Sequence, residues 1–346
     1  VEHSNPARGG AARRVARDDL HRFSSELLVA GGTDPRDAST VSDVLVWGDR
    51  HGRHEYGVAR IPEMLRRVAA GLIRTPANLS WSEVGDAAVL LDAGDGFGQV
   101  ASIAAVDAAG ELATRRGVGA CVVRNSNHFG AAGAYVERAA AGGLVALAFS
   151  NAFPKVAPHG GTGPALGTNP IALGCPTSGA PIVVDLATSA QAGSTVRAAQ
   201  RASDDVPDDA TTGPRADVLL PAAGPKGTAL ALAVEVLTGA LACGVAGPDV
   251  GSIFGSWDRP VGASHCFVVF APARFGTLEG FIERVDRTVA AFHESPPAPG
   301  FPAVRVPGER GDAAARLADR FGVDLPDAVD RELAALAREL HVTPPA

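Results

Sequence analysis

Aromatic side chains are scarce in this chain. They make up 5% of its 346 residues, whereas 46% of the residues are hydrophobic and 41 are glycine. A core built mainly on large rings is thereby excluded, and the interior must come from Ala, Val and Leu with close backbone packing. Sulfur is sparse as well, with four Cys and one Met. Cys121, Cys175, Cys243 and Cys266 are far apart and each lies in an apolar segment. The lack of any C-x-x-C pair argues against a zinc site or a redox dithiol, so buried, reduced thiols of a cytoplasmic protein are expected. No apolar run approaches the ~20 residues needed to span a bilayer, which excludes a membrane protein of the helical kind. The stretch "VEHSNPARGGAARR" lacks the apolar centre of a signal peptide and reads as a loose leader over residues 1–14. Net charge is −7 without a long basic run. Nucleic acid is not an expected partner, because phosphate binding needs clustered Lys and Arg.

What is present is a chain long enough for two domains, with neither an internal repeat nor a low-complexity tract. The first ~75 residues read as helices. Leu20, Phe23, Leu27 and Leu28 share one face, and Gly31-Gly32 stops that run. Asp34 can cap a second helix with Pro35 at its first position and Val41, Val44 and Leu45 inward. Pro62 opens a third helix, which buries Met64, Leu65, Val68 and Leu72. From about residue 85, short apolar runs such as "AAVLLDA", "GACVVRN", "LVALAFSN", "NPIALGCP", "PIVVDLA" and "SHCFVVFAP" alternate with helical segments. This predicts an α/β region with a mixed sheet. Residues 200–225 read as a long exposed loop, and the small-residue run that follows as a buried helix. The tail is helical again. The expected organisation is a helical domain from 15–78 plus 274–346, around an inserted α/β domain at 79–273.

Two glycine clusters invite a dinucleotide-binding reading, and both fail it. Gly94, Gly96 and Gly98 put the third glycine one residue early for G-x-G-x-x-G; Gly161, Gly163 and Gly167 lead into a strand, where the fingerprint needs a helix. His51 and His54, beside Glu55, have metal-ligand spacing, but Gly52 breaks a helix there and no further ligand is apparent, so no metal is expected. The turn "NSNHFGAAG" places His128 at a strand end, where it either faces a cleft for acid–base work or caps the next helix. Asp185 closes another apolar strand ahead of Thr188 and Ser189, and Lys226-Gly227 opens a helix suited to an anion.

Together, "SNHFGAAGAY", "GTNPIALGCP", "DLATSAQAG", "GPKG" and "PGER" resemble the malate/L-lactate dehydrogenase family of the non-Rossmann type, over about residues 15–342. The resemblance implies that family's own α/β fold and NAD or NADP as cofactor. It also implies a small carboxylate substrate and a homodimer. By resemblance, Val184, Asp185, Leu186, Ala187, Thr188, Ser189, Ala190, Lys226, Gly227, Gly308, Glu309 and Arg310 line the cofactor. Arg60, His54, Thr168 and Asn169 face the substrate, with Arg60 gripping its carboxylate. Tyr56, His128 and Asp185 handle the proton.

The stretch "DRHGRHEYGVARIP" carries a departure. Asp49, Gly52, Gly57, Arg60 and Pro62 align with the family pattern without a gap, but Tyr56 occupies the place of the catalytic His and Glu55 that of a Ser. The expected activity is hydride transfer to or from a 2-oxo acid, a 2-hydroxy acid or a cyclic 2-imino acid. The departure keeps a second reading open: a relative that has lost hydride transfer and serves as a scaffold or regulatory subunit, or performs lyase or isomerase chemistry.

Overall fold

A computed structural model describes residues 13–191, 211 and 218–345. Most of the expected leader and of the 200–225 loop therefore lies outside the described residues. The chain divides into two compact units, Val1–Gly71 with Arg310–Ala346, and Leu72–Glu309. Among the described residues no helix is long and apolar enough to cross a membrane.

The first unit is helical. Helix α1 (Arg17–Ala30) buries Leu20, Phe23, Leu27 and Leu28 on one stripe, each contributing roughly 1.5–3 kcal/mol relative to exposure. Helix α2 (Pro35–Arg50) starts as its sequence implies, with the Asp34 carboxylate accepting from the Arg36 N–H at 2.9 Å. Helix α3 (Ile61–Ala69) buries Met64 and Leu65, and Gly31 leaves room for the Leu65 side chain. Strand β1 (Arg13–Val15) pairs antiparallel with β9 (Val323–Leu325), so the last two residues of the expected leader are strand. Helices α8 (Glu309–Phe321) and α9 (Asp327–Glu339) flank β9.

The second unit is built on seven strands: β2 (Ser80–Gly85), β3 (Ala88–Asp92), β4 (Val118–Ser126), β5 (Val145–Ser150), β6 (Ile171–Cys175), β7 (Ile182–Leu186) and β8 (Ala263–Phe270). Their order is β2-β3-β4-β8-β5-β6-β7. Only β3 and β4 pair in parallel; every other pair is antiparallel. Helix α4 (Gly98–Arg116) packs on β3, β4 and β8, and α5 (Gly133–Ala141) on β5, β6 and β7. This direction pattern gathers the ends of β3, β4, β5 and β7, and the starts of β6 and β8, at one end of the sheet. The segments "SNHFGAAGAY", "GTNPIALGCP" and "DLATSAQAG" are thereby brought to a common edge.

Three expectations are corrected. Helix α6 (Pro225–Glu235) and the π turn Val236–Ala240 are not wholly buried. Gly227, Ala231, Val234 and Thr238 point inward, while Leu230, Leu232, Val236, Leu237 and Leu241 are exposed at 38–57% in the single chain. A run that is apolar all round carries no periodicity to tell its two faces apart. For the same reason Cys243, just beyond this turn, is exposed, unlike Cys121, Cys175 and Cys266. The domain boundary falls at 309/310 and not at 273/274. Helix α7 (Leu278–Glu294) stays with the sheet, held by the bond from Ser178 N–H to the Asp286 carboxylate at 3.2 Å and by Leu278 against Gly143.

Candidate active site

The stretch 51–60 joins α2 to α3. It makes two short 3-10 turns, His54–Tyr56 and Val58–Arg60, directly before α3. Asp49, at the end of α2 and 3% exposed, organises them. Its carboxylate accepts from the Val58 N–H at 2.7 Å and pairs with His54 Nδ1 at 3.0 Å. Gly57 has no Cβ for a reason: one would lie 2.1 Å from an Asp49 oxygen. Burial raises the Asp49 pKa, and its hydrogen bond in turn raises that of His54. Both shifts have one meaning, a proton held more tightly by the pair. Arg60 is anchored through Nε to the Glu55 carbonyl at 2.6 Å, which fixes the orientation of its guanidinium fork. The Tyr56 ring is half-buried, its N–H bonded to the Arg53 carbonyl at 2.9 Å.

His51 and His54 do not act together. His51 turns back onto α2, stacked on Trp47 at 4.0 Å with Nδ1 2.8 Å from the Trp47 carbonyl. His54 lines a cavity of about 260 Å³ with Arg14, Asp324, Leu317 and Phe321, and neither Tyr56 nor Arg60 lines it. Among the described residues no group of three or more His, Cys, Asp or Glu could hold a metal ion.

In the second unit the motifs converge. Strand β4 ends at Ser126, and Asn127, buried, donates to the carbonyls of Asp95 and Gly96 at 2.9 and 3.0 Å. The start of α4 abuts this turn so closely that a Cβ at Gly98 would lie 2.3 Å from the Asn127 carbonyl. Close packing, not phosphate binding, is therefore the use of the third glycine in "GDGFG". His128 is partly exposed, and its Nδ1 accepts from the Gly130 N–H at 3.3 Å. That bond assigns the neutral ring's proton to Nε2. Asp185, at the end of β7, accepts from the Gly133 N–H at 3.0 Å and so caps α5. One carboxylate thus joins the "DLATS" segment to the turn that carries His128.

A second cluster adjoins β7. The Thr188 N–H and hydroxyl both donate to the Thr168 carbonyl, at 2.9 and 3.0 Å. The Ala222 N–H donates to the Thr188 carbonyl at 2.9 Å, and a Cβ at Gly227 would come within 2.8 Å of that same oxygen. Segments 168–169, 188–190 and 222–227 are therefore one block. Lys226 is exposed on the first turn of α6, beside that helix's positive end. Val184, Leu186, Ala187 and Ala190 leave surface open along the edge strand and just past it, while Thr188 and Ser189 are buried. Gly308, at φ +98°, lies against the Val183 backbone, and Glu309 accepts from the Val306 N–H at 3.1 Å and pairs with His293. Arg310 is exposed and opens the second segment of the helical unit. An ammonium at a helix start, beside an edge strand bearing apolar surface, fits a dinucleotide's pyrophosphate and rings.

Asn169 has a job that sequence reasoning missed. It is fully buried at φ +31°, donating to the Ala231 carbonyl at 2.9 Å and to Glu235 at 3.0 Å while accepting from the Ala152 N–H. Its amide is spent inside the protein. Glu235, 7% exposed, also accepts from Asn151 at 3.2 Å and from the Gly247 N–H at 2.7 Å. Neither Glu235 nor the fully buried His265 figured among the expected site residues. The signal was there: a single charge in "ALALAVEVLTG" and a single imidazole in "SHCFVVF" must each find partners if buried.

The sheet, its converging strand ends and the block around Thr188 form an α/β unit in which only one strand pair is parallel, so it is not a Rossmann unit. The sequence pattern of malate/L-lactate dehydrogenases matches residues 15–334, and the chain belongs to that family. The family comprises NAD(P)-dependent dehydrogenases and reductases. Ureidoglycolate dehydrogenase (NAD(+)) of Escherichia coli strain K12 is 31% identical over 91% of this chain and 93% of its own length. The (2R)-3-sulfolactate dehydrogenase (NADP(+)) of Chromohalobacter salexigens is 33% identical over 94% and 98%. The crystal structure of Δ1-piperideine-2-carboxylate reductase from Pseudomonas syringae superimposes with a TM-score of 0.84, at 32% identity over 94% and 100% of the two chains.

Proposed function

We propose that this enzyme exchanges hydride between nicotinamide and the carbon next to the carboxylate of a small 2-oxo acid, 2-hydroxy acid or cyclic 2-imino acid. The observation that carries the reading is the hydrogen-bonded block of 168–169, 188–190 and 222–227, with Lys226 on its helix start. The bound nicotinamide supplies or accepts the hydride. Lys226 and the first turn of α6 hold the pyrophosphate, and Val184–Ala190 with Gly308, Glu309 and Arg310 line the cofactor.

Arg60 holds the substrate carboxylate, its fork already oriented by the Glu55 carbonyl. His128 directs its Nε2–H at the reacting oxygen or nitrogen. Asp185 holds α5 and the His128 turn in register. Tyr56 stands where the family has its catalytic histidine and is the proton donor. An unperturbed phenol, with a pKa near ~10, is a weak acid at neutral pH. Cyclic imines suit such a donor best, because a protonated imine is already activated toward hydride.

The exposed apolar face of α6 and its π turn supports a homodimer, since a monomer would leave Leu230, Leu232, Val236, Leu237 and Leu241 in water. The dispersed cysteines, three of them buried and none in a C-x-x-C pair, support a cytoplasmic setting.

The test is purified protein with NADH and NADPH, followed at 340 nm against oxaloacetate, pyruvate and Δ1-piperideine-2-carboxylate. Saturable turnover of at least one pair is expected. Tight cofactor binding without turnover of any pair would overturn the reading in favour of a relative that has lost hydride transfer.

A further inference from the structure

We infer that His265 is a positioning residue for the reaction: bridging Ser126 and Ser150 and stacked on Phe129, it fixes the turn that presents His128. The inference rests on His128 belonging to the site. His265 is fully buried on β8, with Nε2 2.9 Å from Ser126 Oγ and Nδ1 2.8 Å from Ser150 Oγ. Its ring lies parallel to that of Phe129, 4.6 Å away at 5°. Phe129 is held from its other neighbours too: Tyr135 stacks on it at 5.3 Å and donates its hydroxyl to the Phe129 carbonyl, and Tyr135 meets Phe267 edge-on at 5.7 Å. One imidazole therefore grips the chain two residues before His128 and one residue after it.

The choice of histidine has a physical reason. Two buried hydroxyls face each other across β8, and an apolar side chain there would leave both without that partner. Burial pushes the His265 pKa down to about 3, against an opposing bond to the Asn127 backbone, so the ring stays neutral. A neutral imidazole has one N–H and one lone pair, and can donate to one serine while accepting from the other. The consequence reaches His128 through the backbone. Gly130 holds φ +84°, and in that turn its N–H reaches His128 Nδ1 and sets the tautomer. The block around Thr188 is tied by other bonds, so cofactor binding does not depend on His265.

Three substitutions separate positioning from mere stability. His265→Phe keeps the ring and the stacking but removes both hydrogen bonds. His265→Gln carries an amide to the place of Nε2, next to Ser126; His265→Asn carries one to the place of Nδ1, next to Ser150. Each variant is checked for cooperative melting and for NADH and NADPH affinity by calorimetry. His128 is then followed by its imidazole Cε1–H signal, assigned through His128→Ala. Turnover is measured with Δ1-piperideine-2-carboxylate and oxaloacetate.

The Phe and Asn variants should shift or broaden the His128 signal and lower kcat by about 10–100-fold, with cofactor affinity unchanged. The Gln variant should keep the His128 signal and stay within about threefold of parent kcat. A folded Phe variant with parent signal and parent turnover, or Gln and Asn variants that behave alike, would overturn the inference. His128→Ala at parent turnover would instead remove His128 from the chemistry, while its signal in the His265 variants still reports whether the turn is held.

Discussion

Asp49 sets the shape of the turns that carry Tyr56 and Arg60, and its removal should be felt in both stability and catalysis. Asp49→Ala leaves the buried Val58 N–H without an acceptor, a loss of about 1–3 kcal/mol. It also removes the bond to His54, a charge-assisted contact of about 1.5–3 kcal/mol when fully buried. The His54 side chain is 34% exposed, so solvent screening brings that second contribution toward its lower end. The expected total is about 2–4 kcal/mol. The effect should depend on pH. His54 has its pKa raised in the folded state, so its contribution is complete below the unfolded value near ~6.5 and disappears as pH rises through the folded value. Asp49, raised by burial, has the same sign: its bound proton favours the fold at low pH and is lost as pH rises. The gap between parent and variant should therefore be wider at pH 6 than at pH 9. Urea unfolding of both proteins at the two pH values, with the first transition monitored, measures it. A gap below about 0.5 kcal/mol, or one that widens toward pH 9, would refute the assignment of Asp49 as the organiser of this segment.

Tyr56→Phe removes only a hydroxyl and should lower kcat by about 10²–10⁴-fold while sparing cofactor affinity; a variant within about threefold of parent would end the proton-donor role. Arg60→Lys replaces a planar fork by a point charge and should chiefly raise KM in steady-state assays, and unchanged kinetics would take Arg60 out of the site. Glu235→Ala leaves Asn151, Asn169 and the Gly247 N–H without their shared acceptor and should weaken NAD(P)H binding in calorimetric titration more than it alters kcat. Leu237→Asp on the exposed face of α6 should convert a dimer to a monomer in sedimentation; a parent protein already monomeric at micromolar concentration would refute the dimer.

Much of this architecture was legible because local chemistry and tertiary role agree. Asp34-Pro35 caps and starts α2 as it would in an isolated peptide, and the stripe of Leu20, Phe23, Leu27 and Leu28 buries one face of α1. The apolar runs from β3 to β8 are strands for the same reason. Strand β2 was not legible: every residue of "SWSEVG" is exposed, so no alternation marks it. The exposed side of α6 was hidden because both of its faces are apolar. Of the candidate site residues, His128, Asp185 and Lys226 could be named from motifs at strand ends and a helix start, and Arg60 from the family resemblance. The clamps behind them could not. Ser126 and His265 are 139 positions apart and Asn151 and Glu235 are 84 apart, and no short-range pattern encodes such pairings.

The end of β5 has a consequence for how this protein can change over generations. Ser150 holds His265, and the very next residue, Asn151, holds Glu235. The two partners lead to different segments, His265 to Ser126 ahead of the His128 turn and Glu235 to Asn169 beside the Thr168 and α6 block. Adjacent residues share a peptide unit, so a mutation that shifts the backbone at the end of β5 displaces both bonds, whereas one that removes a single side-chain partner leaves the other bond in place. Backbone-shifting changes here should then show epistasis between the two sides, and side-chain changes at one partner alone should not. The 51–60 segment has its own organiser in Asp49. With Arg60 proposed to grip the substrate, new substrate preferences are best sought there, among turns held by that one carboxylate.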